Sequence, residues 1–215
     1  MIKAVIFDFD GIVIDSNKKH ARSFYQVLRK HGFKIKLEQI YQTIGLTASD
    51  ILRKLNVPEE EIHELEREKL KTYLKIVRKE GLKRVPGIRK LLNFLRKKGI
   101  LLAIVSSSRR ALIEFGLRKA NLQNVFNLIL GADEVEEPKP SPKPLLQAAQ
   151  GLGVKASSCI YVGDSVYEMM AAKKAGMQGI GVSTFYSPEE LKAAGAKQAF
   201  KNLTDLLAYF KDVLK

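Results

Sequence analysis

The sequence predicts an α/β fold, a Rossmann-like doubly wound parallel sheet with an α-helical domain inserted into it. The first observation is an alternation, from residue 85 onward, between short apolar runs and amphipathic segments of helical period. The second is a block at residues 17–80 that carries only helical patterns and is too long to be a loop. The third is an isolated apolar run at residues 4–7, ahead of that block. We therefore expect a core of residues 1–15 and 85–215 and a helical cap of residues 16–84.

Local signals place each element in chain order. After the first strand, Ser16 or Asn17 can cap a helix that Gly32 ends, and Thr47 can cap a later one. Pro58 precedes a run of glutamates, whose charge suits a helix N-terminus. The predicted helices span residues 17–31, 37–43, 47–55, 59–80, 87–98, 109–120, 142–151, 166–175, 188–194 and 204–214. The predicted strands span residues 4–7, 100–105, 125–130, 159–162 and 179–182.

The chain is strongly basic, with a formal charge of +14 from 37 Lys and Arg against 23 Asp and Glu. Such a surface can bind nucleic acid, attract small anionic substrates or only keep the fold in solution. The basic residues are scattered over predicted helix faces, and no aromatic-rich RNA-binding pattern, zinc-ligand spacing or helix-turn-helix accompanies them. The composition therefore favours solubility and the steering of anions, without nucleic acid as a partner.

Nothing in the sequence predicts a membrane protein or an oxidising compartment. No apolar stretch is long enough for a transmembrane helix, and the N-terminus enters a strand without a charged leader and apolar segment. The single Cys159 cannot form an internal disulfide and suits a buried position in a strand. We therefore expect a cytoplasmic protein.

Two carboxylates follow the first strand. Asp8 and Asp10 are separated by one residue, so an extended chain points both side chains the same way. Gly11 then allows a sharp turn or the close approach of a ligand. Like charges this close repel unless a cation neutralises them, and Mg²⁺, which prefers oxygen ligands, is the natural partner. The alternative is a strand that ends in a solvated acidic turn.

Three later segments carry polar residues where ligands bind in parallel sheets, beyond the carboxyl ends of strands. Ser106 and Ser107 follow the second strand and offer hydroxyl and N–H groups to a phosphate, or form a plain helix cap. Asp164 follows the fourth predicted strand with Glu168 one helical turn on, where they either share a cation or form an ordinary acidic first turn. Lys139 lies among prolines that stiffen the chain. Its ammonium either neutralises phosphate and carboxylate charge or is solvated in a rigid surface loop.

These motifs together resemble those of the haloacid dehalogenase-like (HAD) superfamily of phosphohydrolases. The segment DFDGIVIDS at residues 8–16 is similar to the first motif, and Ser106 is similar to the second. Lys139 in KPSP is similar to the third, and GDSVYE at residues 163–168 is similar to the fourth. The helical insert resembles the cap of the branch that contains phosphoglycolate phosphatase and β-phosphoglucomutase. The sequence departs from the pattern at Glu168, where Asp is more common.

The resemblance implies a Mg²⁺-dependent phosphatase that hydrolyses a small phosphorylated metabolite, either phosphoglycolate-like or sugar-phosphate-like. It implies that Asp8 attacks phosphorus to form an aspartyl-phosphate, and that Asp10 protonates the leaving oxygen and then activates water. It assigns the metal to the Asp8 carboxylate, the Asp10 carbonyl and Asp164, with Glu168 in support. It assigns phosphate binding to Gly11, Ser106, Ser107 and Lys139. Because the dehalogenases lack the second Asp, a C–halogen substrate is not expected.

The cap leaves alternatives open. The Ser-x-Ser-Arg run at residues 106–109 and His20 resemble the mutase branch, so a β-phosphoglucomutase-like phosphosugar mutase is the alternative function. Otherwise His20 is a solvated helix residue. In the resembled family the cap loop that matches Gly45 and Thr47 faces the metal site, so this loop is predicted to set substrate choice. Otherwise its residues only cap and solvate a helix. Thr47 and Ser49 are expected to offer hydroxyls there, with no carboxylate to repel a phosphorylated ligand. The oligomeric state stays open between a monomer and a homodimer.

Overall fold

A computed structural model describes residues 1–215 and contains one sheet of six parallel strands. The strands are β1 (Ala4–Phe7), β2 (Leu101–Val105), β3 (Leu128–Leu130), β4 (Cys159–Gly163), β5 (Gln178–Val182) and β6 (Gln198–Phe200). Their spatial order is β3-β2-β1-β4-β5-β6, so the chain winds outward from β1 in one direction and then in the other. This order confirms the predicted doubly wound sheet.

The central strand is β1, and all of its residues are buried. Phe7 pairs in register with Ile104 of β2 and with Val162 of β4. The carboxyl ends of these three strands therefore meet at one edge of the sheet, where the winding direction switches. In open parallel sheets ligands bind at this crevice. The residues that follow β1, β2 and β4 are those that carry three of the predicted motifs.

Four helices fill the segment between β1 and β2. They are α1 (Asn17–Lys30), α2 (Leu37–Tyr41), α3 (Ala48–Lys54) and α4 (Glu59–Glu80). They enclose an apolar cluster of their own, in which Phe24 and Leu65 are buried. The outgoing and returning chains are joined by a backbone hydrogen bond from the Asp15 N–H to the Lys83 carbonyl oxygen. The insert is all-helical as expected, and its definition as a cap domain of residues 16–84 stays a prediction.

Six further helices cover both faces of the sheet. They are α5 (Ile88–Lys97), α6 (Arg110–Lys119), α7 (Lys143–Gly151), α8 (Val166–Lys174), α9 (Pro188–Ala193) and α10 (Leu203–Val213), with two short 3₁₀ helices at Ala132–Glu134 and Ala156–Ser158. Val5 and Phe7 pack into one apolar layer, and Ala4 and Ile6 pack into the other. Burial on both faces explains why β1 is a continuous apolar run. None of the helices has both the length and the apolar character needed to span a membrane.

The structure corrects three local expectations. The sequence did not predict β6, because its short segment is half-buried or exposed at the edge of the sheet and gives no clear pattern. The strand expected at residues 125–130 is confined to Leu128–Leu130. Ser16 precedes α1 without capping it, because its hydroxyl donates to the carboxylate of Asp10 instead.

Candidate active site

The ammonium of Lys139 lies at the centre of the site and is buried with Asp8. Its Nζ donates to Asp8 Oδ1 at 2.8 Å, to Glu168 Oε1 at 2.8 Å and to Tyr161 Oη at 2.9 Å. The Val105 carbonyl oxygen lies 3.3 Å from Nζ as a fourth acceptor, so each of the three N–H groups of the ammonium has an acceptor within the protein. The interpretation of Lys139 as a solvated loop residue is therefore wrong, since only 2% of it is exposed.

Glu168 holds Lys139 and the turn between β4 and α8 at the same time. Its Oε2 accepts from the backbone N–H groups of Asp164 at 2.9 Å and Ser165 at 3.1 Å, while Oε1 faces Lys139. A Cβ at Gly163 would lie 2.3 Å from Oε2, so only glycine leaves room for this arrangement. The glutamate, longer than the usual Asp by one methylene, reaches back over the turn. This geometry gives Glu168 a structural role at Lys139 and the turn, and its predicted support of a metal ion stays a prediction.

Asp164 and Gly11 are in contact at the carboxyl end of the sheet. Asp164 Oδ2 accepts hydrogen bonds from Asn17 Nδ2 and Thr184 Oγ1, both at 2.7 Å. Gly11 has φ +84°, and a Cβ there would lie 2.0 Å from the same oxygen. The Gly11 N–H donates to the Ile14 carbonyl oxygen at 2.7 Å, so this amide is not free for the predicted phosphate contact. The structure favours close packing as the reason for glycine at this position.

Three buried carboxylates face one another at this end of the cavity. Asp8, Asp164 and Glu168 each place an oxygen within 4.8 Å of the others. Burial and the nearby negative charge of Glu168 raise the pKa of Asp8 and of Asp164 well above the usual range, against the opposing charge of Lys139. One ammonium does not balance this charge, and hard carboxylate oxygens suit a hard divalent cation. The residues present therefore fit a metal ion.

The carboxylate of Asp10 is held by a different set of donors. Ser108 Oγ donates to Asp10 Oδ2 at 2.6 Å, Ser16 Oγ donates to Oδ1, and His20 Nε2 lies 3.1 Å from Oδ1. Burial would raise the pKa of Asp10, but His20 and these hydrogen bonds hold it well below its usual range. The interpretation of His20 as a solvated helix residue is wrong, because only 8% of it is exposed.

His20 connects Asp10 to a buried lysine of α4. Lys69 Nζ lies 2.8 Å from His20 Nδ1, and the imidazole stacks on Tyr73 with 3.9 Å between ring centroids. Burial and the charge of Lys69 lower the pKa of His20, which favours a neutral ring with its proton on Nε2, facing Asp10. Burial lowers the pKa of Lys69 to about 8. The cap thus contributes a hydrogen-bonded Lys69–His20–Asp10 chain to the site.

The buried ammonium of Lys69 predicts a pH-dependent stability. Below pH 8 Lys69 is charged in both the folded and the unfolded state, and the folded state bears the full cost of burying the charge. Between pH 8 and about 10.4 Lys69 keeps its proton only in the unfolded chain. Stability contributed by this group therefore rises with pH across that window. We expect the unfolding free energy of wild type, relative to that of Lys69→Met, to increase by about 2–3 kcal/mol from pH 7 to 10.5. Urea unfolding at both pH values measures it.

The matched control is Lys71→Met, which removes an exposed lysine of the same helix. Its stability relative to wild type should stay nearly constant with pH. If the difference in unfolding free energy between wild type and Lys69→Met were also constant with pH, it would contradict a lowered pKa for Lys69.

The segment after β2 contains the predicted phosphate-binding serines. Ser106 Oγ accepts from the Ser108 N–H at 3.1 Å, and Ser106 lies in the cavity wall. Ser107 Oγ donates to the Gly45 carbonyl oxygen of the cap at 2.7 Å, so this hydroxyl joins cap and core. The Ser107 N–H has no acceptor within the chain. The structure thus leaves a hydroxyl at Ser106 and an amide at Ser107 for a ligand.

The cap loop at Gly45 closes on the core. A Cβ at Gly45 would lie 2.1 Å from Ser165 Oγ, and its φ of +105° also requires glycine. Thr47 caps α3, since its Oγ1 accepts from the Asp50 N–H and donates to Asp50 Oδ2. Both residues line the cavity, although the Thr47 hydroxyl is already engaged, and their predicted effect on substrate choice stays a prediction.

The expectation that no carboxylate reaches this part of the cap is wrong. Glu66 of α4 lines the cavity and accepts a hydrogen bond from Ser49 Oγ at 2.9 Å. The cavity has a volume of about 390 Å³ and is lined by Asp8, Asp10 and Ser106 as well as by residues of the cap. This size is typical of a pocket for a small molecule.

Comparison with known proteins identifies the family. Residues 5–182 match the family model of haloacid dehalogenase-like hydrolases. The chain belongs to this family. The match spans the sheet from β1 to β5 and all four predicted motifs, so the resemblance seen in the sequence is confirmed.

Individual relatives agree with this assignment. A Bacillus subtilis (strain 168) protein provisionally named phosphatase YhcW is 35% identical over 187 residues, which are 83% of this chain and 82% of the relative. A Caldanaerobacter subterraneus protein provisionally named pyrophosphatase PpaX is 32% identical over 194 residues, 88% of this chain and 86% of the relative. The family and the phosphatase names confirm the predicted enzyme class, a phosphoric monoester hydrolase.

Solved structures share the whole architecture. A hydrolase from Pseudomonas syringae has a TM-score of 0.91 at 25% identity and covers 99% of both chains. A β-phosphoglucomutase from Clostridium difficile has a TM-score of 0.85 at 26% identity, covering 100% of this chain and 97% of that one. The neighbours of this haloacid dehalogenase-like hydrolase thus include both hydrolases and a mutase.

Several side chains that complete the site of this hydrolase were missed in the sequence. Lys69 lies on the apolar stripe of α4 between Leu65 and Tyr73, and a lysine at such a position signals a buried partner. Thr184 follows the strand β5, so the rule that ligands gather at strand ends could have found it. Tyr161 is an aromatic residue of a strand, and nothing local distinguishes it from a core residue.

Proposed function

We propose that the chain is a Mg²⁺-dependent phosphatase that hydrolyses a small phosphorylated metabolite through an aspartyl-phosphate on Asp8. The observation that carries the proposal is the placement of the Asp8 carboxylate. It lines the cavity, one oxygen is held by Lys139, and Asp164 lies beside it in the same buried cluster. Relatives named as phosphatases support the same chemistry.

Asp8 and Asp10 divide the chemistry between them. Because Lys139 holds Asp8 Oδ1, the other oxygen is free to attack phosphorus, forming an Asp8–phosphorus bond as the bond to the leaving oxygen breaks. Asp10 is ionised in the free site, and the negative charge of an arriving phosphate raises its proton affinity. We propose that the Lys69–His20 chain delivers a proton to Asp10, which protonates the leaving oxygen. In the second step Asp10 removes a proton from the water that hydrolyses the aspartyl-phosphate.

Other groups bind and neutralise the phosphoryl oxygens. The Ser106 hydroxyl and the Ser107 N–H are the proposed donors. The N–H groups of Lys139, which was predicted to bind the phosphate, are directed at Asp8, Glu168 and Tyr161, so we propose that its charge acts through Asp8. The Asp8 and Asp164 carboxylates and the Asp10 carbonyl would hold Mg²⁺, with Glu168 committed to Lys139 and to the turn. When bound, the metal ion supplies positive charge that offsets the carboxylates and the phosphate.

Removal of the metal ion tests the proposal. We expect hydrolysis of an aryl phosphate with Mg²⁺ and a loss of about 10²-fold or more after EDTA treatment, reversed by added Mg²⁺. Mg²⁺ without substrate should also raise the unfolding temperature, because it neutralises the buried carboxylates. Released phosphate and thermal melts measure the two effects. Full activity in excess EDTA would rule out the metal-dependent mechanism.

A phosphosugar mutase is the second candidate, favoured by one observation. His20 belongs to the cap and contacts Asp10, the proposed general acid and base. The hydrogen bonding of Asp10 therefore depends on the position of the cap. In a mutase a closed cap excludes water, and the phosphoryl group returns to the sugar. Incubation with β-glucose 1-phosphate separates the two functions, since a mutase yields the 6-phosphate and a phosphatase yields free glucose.

The remaining expectations about partners are part of the same proposal. We place the reaction in the cytoplasm, in a monomer or homodimer that binds a small phosphorylated metabolite and no nucleic acid. The acidic cluster at the strand ends opposes a polyanion, whereas the basic surface attracts small anions from a distance. Salt-dependent binding of duplex or single-stranded nucleic acid at physiological ionic strength would contradict this part.

A further inference from the structure

Part of the cavity wall contacts neither Asp8 nor Asp10 and carries an ion pair between cap and core. Arg109 Nη2, at the start of α6, donates to Glu66 Oε1 of α4 at 3.0 Å. Ser49 Oγ of α3 donates to Glu66 Oε2 at 2.9 Å. All three residues line the cavity, and we call them the Glu66 wall. No step of the proposed chemistry uses them, so they are available to contact the leaving group.

The charged side chains at and near the Glu66 wall have no excess of positive charge. Glu66 and Asp133 contribute carboxylates to the cavity lining, and Arg109 contributes a guanidinium that is paired with Glu66. The other cation of the lining is Lys69, whose Nζ is directed to His20 Nδ1 and lies 4.6 Å from the centre of the Phe24 ring. A second anionic group on the substrate therefore finds no uncommitted cation. It could pair with Arg109 only by displacing Glu66, and it would then remain beside the released carboxylate, which repels it.

Neutral hydroxyl groups fit the same wall without breaking the pair. A hydroxyl both donates and accepts, so it can donate to Glu66 and accept from Arg109 or Ser49. Leu46, Ile51 and Leu112 line the same cavity and suit the carbon skeleton between such hydroxyls. A second anion in the place of such a hydroxyl would be repelled by the Glu66 carboxylate, so the wall discriminates against it.

We propose that Glu66 and Arg109 are specificity-determining residues that select phosphorylated polyols. The preferred substrates are phosphomonoesters whose leaving group bears neutral hydroxyls, and those whose leaving group bears a second anion are rejected. The proposal rests on the proposed phosphatase activity at Asp8 and names the substrate class of that site.

The test uses two substrates that differ at one terminal group. Glycerol 3-phosphate ends in a hydroxymethyl group, and 3-phosphoglycerate ends in a carboxylate on the same skeleton. We expect wild type to have a kcat/KM about tenfold or more higher for glycerol 3-phosphate. Glu66→Gln frees Arg109 and removes the repelling charge, so the ratio should move about tenfold towards 3-phosphoglycerate. Arg109→Gln removes the cation, so the ratio should move the other way.

Glu64→Gln is the matched control, since it removes the same charge from an exposed position of α4 outside the cavity. Its ratio should equal that of wild type. A ratio that is the same in wild type and Glu66→Gln overturns the proposal, as does a wild type that prefers 3-phosphoglycerate. Hydrolysis of an aryl phosphate by wild type is measured alongside. Its absence would overturn the proposed phosphatase function itself, whereas its presence with an unchanged ratio overturns only the substrate class.

Discussion

Replacing Asp8 with asparagine is expected to reduce turnover by about 10⁴-fold or more, because the amide cannot act as the attacking group. The fold should survive, since an amide oxygen still accepts the hydrogen bond from Lys139 Nζ. Burial and the charge of Glu168 raise the pKa of Asp8, so removal of its charge relieves repulsion and should not lower the unfolding temperature. Phosphate release from an aryl phosphate with Mg²⁺, together with thermal melts, measures both effects.

The control is Asp15→Asn, which makes the same change at an exposed position a few residues along the same segment. It should retain wild-type turnover. Acid-quenched protein should carry phosphate on the wild-type chain and none on Asp8→Asn. Turnover of Asp8→Asn within tenfold of wild type would show that another group attacks phosphorus.

Replacing Lys139 with methionine is expected to remove both activity and a large part of the stability. The ammonium is the buried cation that contacts Asp8 and Glu168, and each of these carboxylates is almost fully enclosed. Without the ammonium the carboxylates stay buried but have no opposite charge beside them. This loss typically lowers the free energy of unfolding by about 3–5 kcal/mol. Urea unfolding without metal measures the loss of stability, and aryl phosphate hydrolysis measures the loss of activity.

A second substitution separates the two roles of Lys139. The double variant Lys139→Met/Glu168→Gln removes one of the uncompensated charges, so we expect it to regain part of the stability and none of the activity. Mg²⁺ should stabilise Lys139→Met more than wild type, because it supplies the missing positive charge. Lys143→Met is the control, since this exposed lysine pairs with Glu137 at the surface. An unfolding midpoint of Lys139→Met equal to wild type would contradict the buried pair.

The parts of the fold that could be predicted carry local signals in the sequence. The residues of β1 and β4 are buried on both faces, so each is a continuous apolar run that the sequence shows directly. The long helix α4 spans Glu59–Glu80, as predicted, and begins at the acidic run that follows Pro58. The edge strand β6 is not enclosed in this way and leaves no pattern, which is why it was missed.

The residues of the candidate site also fall into those that could be predicted from local sequence and those that could not. Asp8, Ser106 and Asp164 could be named because each follows an apolar strand, and parallel strands bring their carboxyl ends to one edge. The role of Glu168 could not be derived, because it depends on a turn that directs one carboxylate oxygen to two backbone N–H groups. His20 could not be assigned either, since its burial depends on how the cap packs against Asp10.

The sequence by itself determined which chemical groups stand at the carboxyl edge of the sheet. Only the tertiary structure decided which of them touch, as with Lys139 and Asp8, which are 131 residues apart, or Arg109 and Glu66, which are 43 apart. Periodic patterns report the local geometry of one helix or strand and carry no information about partners in another. Those partners are set by strand register and by the packing of the cap on the core, which are properties of the folded chain as a whole.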